Sequence, residues 1–157
     1  MTAAHNRNCI SIILTRYVLA VTVKSNKGLP PVIFFDGVCG LCNGFVTLLL
    51  RLDRGGRYLF APLQGRTAQH QLPLHLSDSP GTLVLLDGEG VVLRSEAVIR
   101  IVTGLGGIWR MVGLVRLVPR FLRDSIYNAL ASCRYSWFGR RDVCRVPTPE
   151  QQWRFLD

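Results

Sequence analysis

Val32-Ile33-Phe34-Phe35-Asp36-Gly37-Val38-Cys39-Gly40-Leu41-Cys42 is the stretch from which the rest of the chain can be read. Its first four residues are β-branched or aromatic with no polar member, the pattern of a buried strand. Asp36-Gly37 ends that strand with turn residues. Asn43 to Asp53 then carries Phe45, Val46, Leu48, Leu49, Leu50 and Leu52, too dense for one narrow stripe. This predicts a largely buried helix, stopped by Gly55-Gly56. The two cysteines fall between the strand and the helix.

That position carries chemistry. Free backbone N–H groups and the dipole at a helix N-terminus stabilise an anion. A thiol placed there ionises more readily, with a pKa that can fall from about 8.5 to between roughly 3.5 and 7.5. Cys39 sits nearest the open end and is the expected nucleophile. Cys42, one turn inward, is the expected resolving cysteine. Cys39 is expected to be partly exposed and Cys42 more buried, while Gly40 and Leu41 bring no charge to tune the pair. Asp36 has two readings, a general base for Cys42 or a turn carboxylate that bonds backbone N–H groups. The candidate catalytic set is thus Cys39, Cys42 and Asp36.

Other readings of these residues differ in what they require. A zinc site needs four ligands, and Cys133 and Cys144 would have to complete it from elsewhere in the chain. A buried structural pair needs nothing further. A phosphatase of the haloacid dehalogenase type needs an aspartate where Phe34 stands, so that reading fails. No cofactor and no metal site is expected.

Outward from this core, Arg57 to Leu63 reads as a second strand, and a short helix falls within Gly65 to Leu76. Thr82 to Leu86 and Val91 to Leu93 flank Asp87-Gly88-Glu89-Gly90, a hairpin signal. Ser95 is placed to cap a helix whose apolar face holds Ala97, Val98, Ile101 and Val102, with Glu96 in its first turn. Pro119 opens a last helix in which Leu122, Ile126, Ala129, Leu130 and Cys133 recur at helical spacing. Between these helices, Gly104 to Val118 is apolar nearly all round, with Arg110 and Arg116 interspersed. It suits a buried helix pair, a partner groove or contact with a membrane surface through residues 104–118. A strand, a crossover helix, a parallel strand and then a hairpin is the outline of a thioredoxin-like α/β sheet, here with additional C-terminal helices.

Composition bounds the alternatives. The chain has 157 residues, 48% hydrophobic and 18% charged, which excludes disorder. Its longest run without Asp, Glu, Lys or Arg is the fourteen residues Gly37 to Leu50, short of the roughly 20 that a membrane span needs. The net charge is +9 and concentrates at the two ends. Its arginines are scattered rather than clustered, so no nucleic-acid partner is expected. Five cysteines without regular spacing do not describe a disulfide framework, and the close pair points to a reducing compartment, the cytoplasm. Residues 1–28 hold no acid, but the apolar run 9–23 is broken by Arg16 and lacks a cleavage signature. The reading is a β-prone extension, with export or organelle targeting left open, and Lys24 to Pro31 as linker.

The run Phe35 to Asn43 resembles the signature of the DCC family of predicted thiol-disulfide oxidoreductases, named for its Asp-Cys-Cys motif. Further matches lie at Ser95-Glu96-Ala97-Val98, at Pro119-Arg120 with Arg123-Asp124 and Tyr127, and at Arg134-Tyr135 with Phe138-Gly139-Arg140. A last one joins Cys144 to Pro147. The resemblance implies a thioredoxin-like fold and disulfide exchange at Cys39 and Cys42. It sets the domain at residues 30–147, with an extension and linker at 1–29 and a tail at 148–157. Thioredoxin-like proteins place a cis-proline beside the cysteine pair, and Pro80 is the candidate. The C-terminal signature is expected to pack and cap the last helix, with Asp124 and Arg134 as ion-pair partners; its other reading is a docking surface with Cys144 as an accessory thiol. The expected function is a protein-disulfide oxidoreductase of the reductase type. Its partners would be a disulfide-containing protein or small molecule and an external thiol reductant or oxidant. The alternative is a non-catalytic partner-binding protein of the same fold.

Overall fold

Val32–Phe35 forms β1, and all four residues are buried because the strand serves two cores at once. Ile33 and Phe35 pack with Val46, Leu49, Phe60 and Ile101, and Val32 and Phe34 pack with Ala61, Leu63, Ala68 and Leu86. Alternate side chains of a strand point to opposite faces, so a strand covered on both sides reads as an unbroken apolar run. The structure, a computed structural model, describes residues 28, 30–73, 76, 82–140 and 147–156.

The crossover from β1 is helix α1 (Gly40–Leu52), which leads to β2 (Leu59–Pro62), parallel to β1 with Ile33 opposite Phe60. A short helix α2 (Arg66–Gln71) follows. Strands β3 (Val84–Asp87) and β4 (Gly90–Leu93) form the expected hairpin, and β3 lies antiparallel to β1, giving the order β2-β1-β3-β4. Asp87 closes the hairpin by accepting the N–H groups of Glu89 and Gly90 at 2.9 and 3.1 Å. This is a thioredoxin-like α/β sheet with the cysteine pair at the start of its first helix, as the sequence implied.

Helix α3 (Arg94–Gly104) runs directly on from β4. Ser95 lies inside it rather than at its cap, and its hydroxyl donates to Asp124 instead. Gly106 and Gly107 take positive φ (79° and 57°) to turn the chain into a 3₁₀ helix, Gly107–Leu117, with no buried residue. Helix α4 (Arg120–Phe138) starts after Pro119 as predicted. Its apolar row is not in the core: Leu122, Ile126 and Leu130 are all exposed, and the one buried residue of the helix is Arg134.

The segment after residue 147, read as a tail, belongs to the fold. Phe155 lies against the rings of Phe60 and Phe35, and Leu156 donates its N–H to Phe60 O at 3.0 Å. The buried guanidinium of Arg154 pairs with Asp53 and donates to Tyr58 O. A tail of ten residues carries too few apolar groups to be recognised from its own pattern, and only β2 shows what it covers. No helix among the described residues is long and apolar enough to cross a membrane. The extension 1–27, Pro80 and Cys144 lie outside the described residues.

Candidate active site

Cys39 occupies the N-cap of α1 in an extended conformation, and its Sγ accepts the N–H of Cys42 at 3.4 Å. That sulfur thus takes the role a serine or aspartate oxygen takes at a helix start. The helix begins three residues before the apolar pattern because the cysteines themselves form its first turn. Asn43, buried one residue further on, donates to Gly37 O and Cys39 O at 2.8 and 2.9 Å and so fixes the loop against the helix. Cys39 and Cys42 are not joined in the structure.

Exposure of the two sulfurs is the reverse of the expectation. Cys39 is fully buried, and Cys42 is partly exposed. The cause is the end of α4. Cys39 pairs with Arg140 as an antiparallel bridge, and the Gly40 N–H donates to Gly139 O at 3.2 Å. A Cβ at Gly40 would stand 2.1 Å from Phe138 O. Gly40, electrostatically silent in sequence, is what lets this cover lie down.

Asp36 is buried and has a full set of donors. Its Oδ1 accepts the Val38 N–H at 3.2 Å and the Gln64 amide at 3.0 Å. Its Oδ2 accepts the Tyr135 hydroxyl at 2.5 Å and lies 3.7 Å from Arg134 Nη2. The turn bond of the second reading of Asp36 is therefore present. Arg134 is buried as well, donates to Ala131 O at 2.7 Å and stacks 4.3 Å from the Tyr135 ring centroid. Its ion-pair partner is Asp36, not Asp124, which meets Ser95 and Arg120.

These neighbours set the charge of the pair. Burial first, then the hydrogen bond and charge of Cys39, push the Cys42 thiol up to about 12, and the Asp36 charge adds to this. Burial and the bond to Asp36 raise the Tyr135 hydroxyl, with Arg134 opposing, so Tyr135 stays a donor. Among the described residues no three His, Cys, Asp or Glu side chains come together to hold a metal ion.

With this geometry in place, residues 33–140 match the family model described as DCC1-like thiol-disulfide oxidoreductase. The chain belongs to that family. It is 37% identical over 127 residues to "Uncharacterized protein YuxK" of Bacillus subtilis (strain 168), covering 80% of this chain and 93% of the relative. It is 32% identical over 120 residues to "DCC family protein At1g52590, chloroplastic" of Arabidopsis thaliana, covering 74% and 69%. No solved structure matches. The family supports a thiol-disulfide redox role for the chain.

Three members of the site were not assigned to it from sequence. Arg134 and Tyr135 were visible only as part of the C-terminal signature, read as helix packing. The signal that was available is that a basic and a phenolic residue adjoin in a motif with no apolar purpose. Gln64 carried no signal at all.

Proposed function

We propose that the protein is a thiol-disulfide oxidoreductase in which Cys39 attacks and Cys42 resolves, working as a disulfide reductase in the cytoplasm. The observation that carries this is the unequal pair at the start of α1: Cys39 at the N-cap with an N–H on its sulfur, and Cys42 keeping its proton. Cys39 displaces one thiol from the substrate disulfide and holds the other half as a mixed disulfide. Cys42 then gives up its proton, attacks the Cys39 sulfur and releases the second thiol. An external thiol reductant returns the pair to the dithiol. Asp36 stands beside this transfer as the candidate acceptor of the Cys42 proton, and Arg134 balances its charge.

Attack by Cys42 instead would spare the cover over Cys39. A thiol with a pKa of about 12 presents roughly one thiolate in 10⁵ at neutral pH. Lifting a backbone hydrogen bond such as that of Gly40 costs only about 1 kcal/mol. Opening the cover is the smaller cost, which favours Cys39.

The test is adduct capture by mass spectrometry on two variants. Cys42→Ser should accumulate a mixed disulfide on Cys39, and Cys39→Ser should trap little. Equal trapping on both would overturn the roles. Stoichiometric zinc in the wild type, lost in both variants without adducts, would overturn the oxidoreductase reading itself.

A further inference from the structure

A cavity of about 420 Å³ opens between α1, α3, the 3₁₀ helix and α4, with Cys42 in its wall. The cavity is open to solvent, with Ile126 and Leu130 of its wall exposed, and its volume lies within the range of small-molecule sites. Phe45, Val98, Val112, Ile126 and Leu130 supply apolar wall. The polar side chains at its edge are engaged elsewhere. Ser95 donates to Asp124, and the Tyr127 hydroxyl accepts the Leu83 N–H at 2.9 Å. Arg123 is bound to Glu96, and Arg134 faces Asp36. No free charge remains to meet a charged ligand, and a carboxylate placed here would be desolvated without return. Among the described residues, the one reactive side chain in the wall is the Cys42 thiol.

We propose that this cavity seats an uncharged, apolar substituent of a small-molecule disulfide, so that the site selects aliphatic or aromatic disulfides over charged ones. The proposal rests on the redox reading of the Cys39–Cys42 pair and names its substrate class. The reaction balances as the dithiol and R–S–S–R giving the Cys39–Cys42 disulfide and two R–SH. Two electrons pass from the cysteines to the substrate sulfurs, and both thiol protons leave on the products. Helix α4 lines the cavity and also ends in the cover over Cys39, so filling the one and opening the other involve the same element.

Binding and turnover are tested separately on the full chain. Dibutyl thioether is redox-inert, and it should slow alkylation of Cys42 by about fivefold at saturation, while its dicarboxylate analogue should not. Ala131→Trp and, independently, Val98→Phe fill the cavity from two helices and should each remove that protection. In turnover, dibutyl disulfide should exceed dithiodibutyrate in kcat/KM by about tenfold or more, and either variant should erase the gap. No protection by the thioether, or equal protection by its dicarboxylate, would overturn the proposal whatever the redox result. Protection without turnover of any disulfide would leave the cavity assigned and overturn the redox reading on which its substrate class depends.

Discussion

Asp36 is a buried carboxylate whose charge is felt by two partners of opposite interest. Arg134 needs it as a counter-ion, at 3.7 Å, and Cys42 is held neutral partly by it. Asp36→Asn keeps the shape and the bond from Val38 but removes the charge. Leaving a buried guanidinium unpaired costs about 3 kcal/mol or more, which a lowered urea midpoint would report. The same change takes a negative charge away from Cys42, so that thiol should ionise at lower pH, read from thiolate absorbance against pH. An unchanged Cys42 titration would show that the Asp36 charge does not reach the pair. Asp36, Cys39 and Cys42 were legible in the sequence because strand, turn and helix start are local. Tyr135, 99 residues from Asp36, was not. The pairing of Arg134 was misread for the same reason: Asp124 shares its helix but stands about 15 Å away along the axis, and Asp36 is its neighbour only in the fold.

At the scale of elements, α4 and the 3₁₀ helix do what no periodicity announced. The end of α4 shuts over Cys39, and the fit depends on the missing Cβ of Gly40. Gly40→Ala would favour α1 by helix propensity while displacing Phe138. Loss of the Gly40–Gly139 bond at about 1 kcal/mol should make Cys39 about fivefold more reactive to an alkylating agent. No change in that rate would mean the cover moves freely already. The 3₁₀ helix presents Ile108 and Leu117, 78% and 83% exposed, beside exposed Phe121 and a basic C-terminal region. Apolar exposure next to cations is the chemistry of contact with anionic lipid. The full chain should co-sediment with vesicles containing phosphatidylserine. Ile108→Asp with Leu117→Asp should weaken this by at least about tenfold, as expected from the burial energy of two such side chains. Sedimentation unaffected by the double change would assign lipid binding to another part of the chain. The sequence placed residues 104–118 among three environments because an apolar run has no face until its neighbours are known, whereas the hairpin at Asp87 to Gly90 named its own turn.

Over the whole molecule, the buried thiol and phenols make stability a function of alkaline pH. Burial pushes the Cys42 thiol from an ordinary 9.0 to about 12, and burial likewise raises the hydroxyls of Tyr58 and Tyr127. Between pH 9 and about 12 the unfolded chain gives up the Cys42 proton and the folded chain keeps it. The folded state then binds more protons than the unfolded one, so unfolding becomes easier as pH rises. Across the full window the rise from 9.0 to about 12 amounts to about 4 kcal/mol from this one group. The tyrosines act in the same direction from about pH 10 and are common to any variant with them intact. Serine does not titrate in this range, so Cys42→Ser removes the Cys42 share together with the part of the Tyr127 rise that the Cys42 charge causes. Urea denaturation from pH 8 to pH 11 should show the wild type losing stability faster than Cys42→Ser. The difference should grow by up to about 1.4 kcal/mol per pH unit once pH exceeds 9. Well below pH 9 the Cys42 thiol is protonated whether folded or not, so the two proteins should run parallel there. Parallel curves at pH 11 as well would mean that Cys42 is solvated in the folded protein, and the wall it is assigned in the cavity would be wrong.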